Sequence, residues 1–257
     1  MSGSLHSMIR DLGRRRGRER RGLALAEGVR LVEEALAAGV AIRGAAVSPA
    51  LEGTTRGTAL KRALADRRVP LEEISLAELD ALADTEHPQG IVAVIEPRRW
   101  TLDDIPAGPG VTLVLDAVQD PGNVGTILRT AHALGAAGVI ALKGTADLVN
   151  PKVLRGSMGS AFRFPAVPAG EADLLDWASA RGAALWVTSA DGEPLRRDAV
   201  RAAGAVLMVV GNEGAGVGSS LASRAARRVA IPIRSGAESL NVAVASGILL
   251  YEALRDG

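Results

Sequence analysis

Residues 113–131 read LVLDAVQDPGNVGTILRTA, and the way this stretch is read decides the fold. Five of its first six residues are apolar, as in a strand buried on both faces. Asp120-Pro121-Gly122-Asn123 then breaks the strand, and Val124, Ile127, Leu128, Ala131 and Leu134 recur at helical spacing. A buried strand feeding a helix through a tight turn is half of a β-α-β unit. Working outward, apolar strands are expected at 111–118, 138–143 (GVIALK), 183–189 (AALWVTS), 204–211 (GAVLMVVG) and 228–233 (RVAIPI). Helices fill the intervals, the last from about Ser239 to Arg255. This alternation predicts an α/β fold with a parallel sheet covered on both faces.

Upstream, GVRLVEEALAAG (28–39) reads as an amphipathic helix and AIRGAAVS (41–48) as a strand. Ser75 and Glu78 form a capping box, and GIVAVIE (90–96) reads as a buried strand. Pro97, Pro106, Gly108, Pro109 and Gly110 then punctuate a linker, so a domain boundary is expected near residue 105. The expected organisation is an arm over 1–21, a smaller N-terminal α/β domain over 22–104, and a second domain over 105–257.

Composition excludes several classes. The 257 residues contain no cysteine, which removes disulfides, zinc-thiolate sites and thiol nucleophiles. Three scattered histidines disfavour a histidine-rich metal site. No run approaches the roughly 18 apolar residues of a membrane span, and the N-terminus lacks the apolar core of a secretory signal. A cytoplasmic protein is the simplest expectation. The net charge is only +1, but Arg14, Arg15, Arg16, Arg18, Arg20 and Arg21 crowd one segment. Such a cluster suits phosphates, and a solvated arm is the equal alternative. Aromatic residues at 2% argue against a base-stacking platform.

Parallel α/β sheets bind ligands outside the carboxyl ends of their strands. Three turns are expected there. The first holds Asn123, at a helix N-cap position, and Arg129 on the flank of the apolar stripe. The second, VVGNEGAGVG (209–218), puts Glu213 directly after a buried strand, with Gly211 and Gly214 allowing close approach to the backbone. It lacks the Lys-Ser/Thr of a P-loop, and its glycine spacing fails the dinucleotide fingerprint, which opposes a dinucleotide-dependent oxidoreductase. The third, IPIRSGAESLNVAVASGILLYEAL (231–254), places Ser239 and Asn241 at the start of a long apolar helix. Each signal alone is also satisfied by ordinary capping and turn chemistry.

Together and in this order, DPGNVGTILRTA, GNEGAGV and IPIRSGAESLNVAVASGILLYE resemble the three signature motifs of the SpoU (TrmH) family of RNA ribose 2'-O-methyltransferases, in the SPOUT superfamily. NPKVLRGSMGSAFRFPAV (150–167) resembles the segment between the first two motifs. LAEGVRLVEEAL and HPQGIVAVI resemble the family's substrate-binding domain.

The resemblance implies a C-terminal sheet with a deep trefoil knot, a homodimer, and S-adenosylmethionine as methyl donor, with no metal. It implies catalytic roles for Asn123, Arg129, Glu213, Ser239 and Asn241, and cofactor contacts along Ser189, Gly211, Ile231 and Leu240. Arg155 joins the arginine cluster as an RNA contact. Ribosomal RNA is the first expected substrate, and transfer RNA the second; a non-catalytic RNA-binding relative is the rival reading. A guanidinium is a donor and not a base, so Arg129 is expected to orient and stabilise the 2'-oxygen rather than to remove its proton.

Overall fold

The computed structural model describes residues 5–234 and 239–255, which form two compact units. The first runs to Arg98 and also takes in Val149–Arg163; the second comprises Arg99–Leu148 and the chain from Phe164 onward.

The first unit opens with α1 (Leu5–Leu12) and α2 (Arg15–Arg21), followed by β1 (Ala24–Glu27), α3 (Val29–Ala37) and β2 (Ala41–Val47). Next come α4 (Thr55–Asp66), β3 (Leu71–Glu73), α5 (Leu76–Leu82) and β4 (Ile91–Glu96). The sheet order is β1-β4-β2-β3, with β4 antiparallel to both of its neighbours and β3 parallel to β2. Side chains alternate along β4 and so serve two cores. Ile91, Ala93 and Ile95 pack with Val32, Ala35, Leu60 and Leu64, while Val92 and Val94 pack with Ile9, Leu12 and Leu79.

The expected arm is therefore folded. Leu5, Met8, Ile9 and Leu12 make a helical apolar stripe beneath the arginines, and Ile9 and Leu12 are fully buried. A Cβ on Gly17 would stand 2.0 Å from the Asp11 carbonyl oxygen, so α2 lies hard against the end of α1. Arg18 is only 3% exposed and donates to the carbonyls of Leu12 (3.0 Å) and Gly13 (3.1 Å), satisfying acceptors at the end of α1. Arg21 and Arg20 both pair with Asp11 and hold its carboxyl below the usual carboxylate range.

The second unit begins with β5 (Gly110–Leu115), α6 (Pro121–Ala133) and β6 (Gly138–Ala141). Helix α7 (Pro151–Ser157) follows in the chain but belongs to the first unit, where Leu154 and Phe162 enter the core around Ile91 and Ile95. The chain returns as β7 (Ala166–Pro168), α8 (Glu171–Ala180), β8 (Ala184–Pro194), α9 (Arg197–Ala203) and β9 (Ala205–Val210). It finishes with α10 (Ser219–Arg224), β10 (Arg227–Ala230) and α11 (Val242–Leu254). All pairings in the six-stranded sheet, β10-β8-β9-β5-β6-β7, are parallel.

Two boundaries differ from the sequence reading. The division falls after Arg98 rather than near residue 105, because Trp100, Leu102 and Ile105 anchor the Pro/Gly stretch to the core of the second unit. The span 105–257 is also not one continuous unit, since Val149–Arg163 packs with the first. Residues 235–238, between β10 and α11, lie outside the described residues and belong to the first part of the third motif.

Strand order fixes where the site falls. From β5 the chain crosses to β6 on one side, and from β9 it crosses to β10 on the other. Adjacent strands whose connections diverge leave a crevice at their carboxyl ends, here between β5 and β9.

Candidate active site

Helix α6 starts where β5 has ended, and its cap is Asp120, whose side chain accepts from the Asn123 N–H at 2.7 Å. Pro121 occupies the first helical position, where its fixed φ suits the helix and its missing N–H costs nothing. The sequence reading placed Asn123 at the cap; the structure puts it three residues into the helix. Its carboxamide is thereby free for other partners.

Those partners come from the other two motifs. Asn123 Nδ2 donates to Glu213 Oε1 at 2.8 Å, and Asn241 Nδ2 donates to Asn123 Oδ1 at 3.0 Å. Asn241 itself caps α11, its Oδ1 accepting from Ala243 N (2.9 Å) and Val244 N (3.3 Å). The direction of the chain is forced by chemistry. A carboxylate can only accept, so Asn123 must turn its NH2 to Glu213 and its oxygen to Asn241. The oxygen of Asn241 is held by the helix N–H groups, which leaves its NH2 for Asn123. Capping and site-building are thus done by the same side chain.

Arg129 stands apart from this network. It lies six residues beyond Asn123, about 240° round the helix, on an exposed face. Its guanidinium has no hydrogen-bond or ion-pair partner among the described residues. Ser239 is likewise exposed. Ile231 is half-buried, Leu240 is exposed beside α11, and Ser189 on β8 hydrogen-bonds Asp191, which holds that carboxyl below its usual range. Of the nine residues expected at the catalytic and cofactor sites, the structure joins Asn123, Glu213 and Asn241 directly.

Packing alone already requires glycine at position 211. A Cβ there would lie 2.1 Å from the Gly216 carbonyl carbon and 2.2 Å from its oxygen, so the loop's own closure excludes a side chain. Gly214 and Gly216 are exposed, and no severe clash would meet a side chain at either.

Two of the expected RNA-contacting arginines are engaged elsewhere. Arg18 is buried, as described. Arg155 donates to Glu27 (3.0 Å) and Asp84 (2.8 Å), and Glu27 is a buried carboxylate that also accepts from Asp84 N, Thr85 N and Thr85 Oγ1. Arg14, Arg15, Arg16, Arg20 and Arg21 are exposed on the first unit.

A parallel α/β unit with a polar network at its strand ends and a separate small α/β unit that carries exposed arginines define the class of protein. Residues 110–251 match the SpoU rRNA Methylase family, and residues 7–93 match the MRM3-like substrate binding domain. The chain belongs to the SpoU rRNA Methylase family. The second match begins inside α1, in keeping with the folded state of the arginine-rich segment.

Similar proteins span nearly the same length. The 23S rRNA (guanosine(2553)-2'-O)-methyltransferase RlmP of Bacillus subtilis (strain 168) is 36% identical over 230 residues, covering 88% of this chain and 86% of that protein. The 23S rRNA (uridine(2479)-2'-O)-methyltransferase of Streptomyces viridochromogenes is 35% identical over 251 residues, covering 95% and 86%. The crystal structure of the SpoU methyltransferase AviRb from Streptomyces viridochromogenes in complex with the cofactor AdoMet has a TM-score of 0.85 at 32% identity, covering 98% of this chain and 97% of that one.

Proposed function

We propose that this protein transfers a methyl group from S-adenosylmethionine to a ribose 2'-hydroxyl of ribosomal RNA, in the cytoplasm. The observation that carries the reading is the Asn241–Asn123–Glu213 chain, in which three motifs far apart in sequence meet at the ends of β5 and β9.

The residues present fit the cofactor. Ile233 and Leu240, 42% and 37% exposed, lie within the third motif as apolar side chains in water, a surface that the body of an adenosine would cover. Ser189, Gly211, Ile231 and Leu240 are the residues we assign to hold it, with the glycine-rich loop offering backbone groups. When bound, S-adenosylmethionine supplies an electrophilic methyl carbon on a sulfonium.

The chain's own residues have two tasks. A ribose hydroxyl is a poor nucleophile, so it must be held in line and its developing negative charge stabilised. Asn123 and Asn241 fix the direction of the Glu213 carboxylate, giving the site a rigid polar wall. Arg129, unpaired within the described chain, is poised to meet an incoming phosphate or the 2'-oxygen itself, and as a guanidinium it donates there. Ser239 is assigned to the same neighbourhood as a neutral hydroxyl donor or acceptor.

RNA is taken up on the exposed arginines of α2 and its cap, Arg14, Arg15, Arg16, Arg20 and Arg21, through phosphates and without base discrimination. A homodimer is supported by α11, which is apolar nearly all round: Val242, Ala243, Leu249 and Leu250 are buried, while Val244 (51%), Ile248 (42%) and Tyr251 (55%) stay exposed. A helix of that kind is expected to be covered on both sides, and a second copy supplies the cover. The family's trefoil knot is assigned to the C-terminal part of the second unit.

The test is methyl transfer from labelled cofactor to purified ribosomal and transfer RNA, with the modified nucleotide mapped by its resistance to alkaline cleavage. Label on a single ribosomal RNA position, lost in Asn123→Ala, is the expected result. Absence of transfer to any RNA by the wild-type protein would sink the reading.

A further inference from the structure

Glu213 sits at the tip of an exposed loop, yet the catalytic reading requires its carboxylate to be fixed. Something must hold that loop, and the residue beside Glu213 has the geometry to do so. Asn212 exchanges two backbone hydrogen bonds with Gly216 (3.1 and 2.9 Å), closing the loop on itself. Its side-chain oxygen accepts from Gly214 N (2.9 Å) and Ala215 N (3.0 Å), so the turn that carries Glu213 is wrapped around the Asn212 amide. Its Nδ2 reaches across to the Ala117 carbonyl at 3.0 Å, at the end of the neighbouring strand β5. All four polar groups of one residue are engaged, and they tie the loop of the second motif to the strand end of the first.

The far anchor is unusual. Ala117 has φ = 57°, the left-handed region that alanine avoids, and a Cβ built on Gly144 would stand only 3.0 Å from the Ala117 Cβ. A non-glycine residue keeps such a conformation only where its surroundings over-determine it. The bond from Asn212 to the Ala117 carbonyl is one determinant. A second strut runs parallel to it: Gly218 N donates to Asp116 Oδ2 at 2.7 Å, pinning the other end of the loop to the residue before Ala117.

We infer that Asn212 is a positioning residue for the methyl-transfer reaction, holding Glu213 in hydrogen-bonding register with Asn123 by stapling its loop to the strained turn at Ala117. It touches neither the RNA nor the reacting atoms in this account. It acts through Glu213, with Asp116 as a supporting strut. The inference rests on the methyltransferase reading of the site.

The test uses the full-length chain and single-turnover methylation of the RNA that the wild type modifies. Asn212→Asp keeps the size and the acceptor for Gly214 and Ala215, but faces the Ala117 carbonyl with an oxygen instead of an N–H. Its turnover is expected to fall at least tenfold, with the KM for RNA within about twofold and the melting curve close to wild type. In a Glu213→Ala background the same substitution should cost less than twofold, because there is nothing left to position. Ala117→Gly, which removes the Cβ that makes the left-handed turn unfavourable, should restore part of the Asn212→Asp loss. Should Asn212→Asp not fold, Asp116→Ala reads the same staple from its other end with the same expected split. Full turnover in Asn212→Asp, or an equal loss with and without Glu213, would overturn the inference. A wild type that transfers no methyl group would instead fail the functional reading on which it stands.

Discussion

Replacing Asn123 by alanine tests the centre of the site. The change removes two hydrogen bonds, one to Glu213 and one from Asn241, but leaves the cap of α6 intact because Asp120 supplies it. Asn123 is half-buried, so water can take over much of what is lost. A typical net hydrogen bond contributes about 1 kcal/mol, and partial rehydration of both partners should hold the total cost near that value. For a chain of this size that corresponds to a melting temperature lower by about 2–4 °C. Activity should suffer far more. Glu213 loses the donor that aims it, and losing one such preorganised group at other active sites costs about 10²-fold or more in turnover. The assay is single-turnover methylation at saturating RNA beside a thermal melt of the same preparation. Turnover within about threefold of wild type, at a normal melting temperature, would refute the reasoning. So would a loss confined to the KM for RNA, which would make Asn123 a simple binding contact.

Arg129→Ala should leave stability within about 0.5 kcal/mol, as befits an exposed residue with no partner among the described residues, while lowering turnover about 10²-fold; wild-type methylation by this variant would remove Arg129 from the mechanism. Gly211→Ala should destabilise the protein itself, because the new Cβ meets the Gly216 backbone at 2.1 Å, and a melting curve identical to wild type would contradict that packing. Arg155→Ala withdraws the cation beside the buried Glu27 carboxylate, whose other donors remain. A loss of about 2 kcal/mol in stability with unchanged RNA affinity is expected, and weakened RNA binding at normal stability would return Arg155 to the RNA-contact set.

What could be read from the sequence followed from local pattern. The strands of the second unit announce themselves because both faces are buried, so no polar residue interrupts β5 or β9 apart from Thr112. Strand β1 escaped notice because ALAE is four residues long and ends in a glutamate, whose burial depends on Arg155, 128 residues away. The helical stripe Leu5-Met8-Ile9-Leu12 is overshadowed by the arginines that follow it, whose charge leaves a phosphate-binding segment and a solvated arm as equal readings. The cap of α6 was misplaced because Asp120 and Asn123 are both good caps, and Pro121 decides between them by fitting the first helical position. The residues of the site were identified by motif. That the three turns share one end of the sheet follows from the parallel pattern; which side chains bond there does not, since Asn123 reaches Glu213 and Asn241 across 90 and 118 residues.

The construction of the site explains why its wall is made of carboxamides rather than an ion pair. A guanidinium or ammonium beside Glu213 would hold the carboxylate in place, but it would also cancel its charge locally. An amide donates a hydrogen bond without carrying charge, so Asn123 aims the carboxylate and leaves it negative. The amide in turn needs its own orientation fixed, which Asn241 provides from the N-terminus of α11, where the helix N–H groups dictate which way the second amide faces. Asn212 repeats the device beneath the loop, and in both cases the fixed end of the chain is backbone. Orientation therefore passes from main-chain groups of the sheet and α11, through neutral amides, to one charged group at the surface. No cation pairs with Glu213 among the described residues, and Arg129 lies on an exposed flank of α6. A substitution that brings the two charges together, such as Asn123→Lys, would preserve a hydrogen bond to Glu213 and should still abolish methyl transfer.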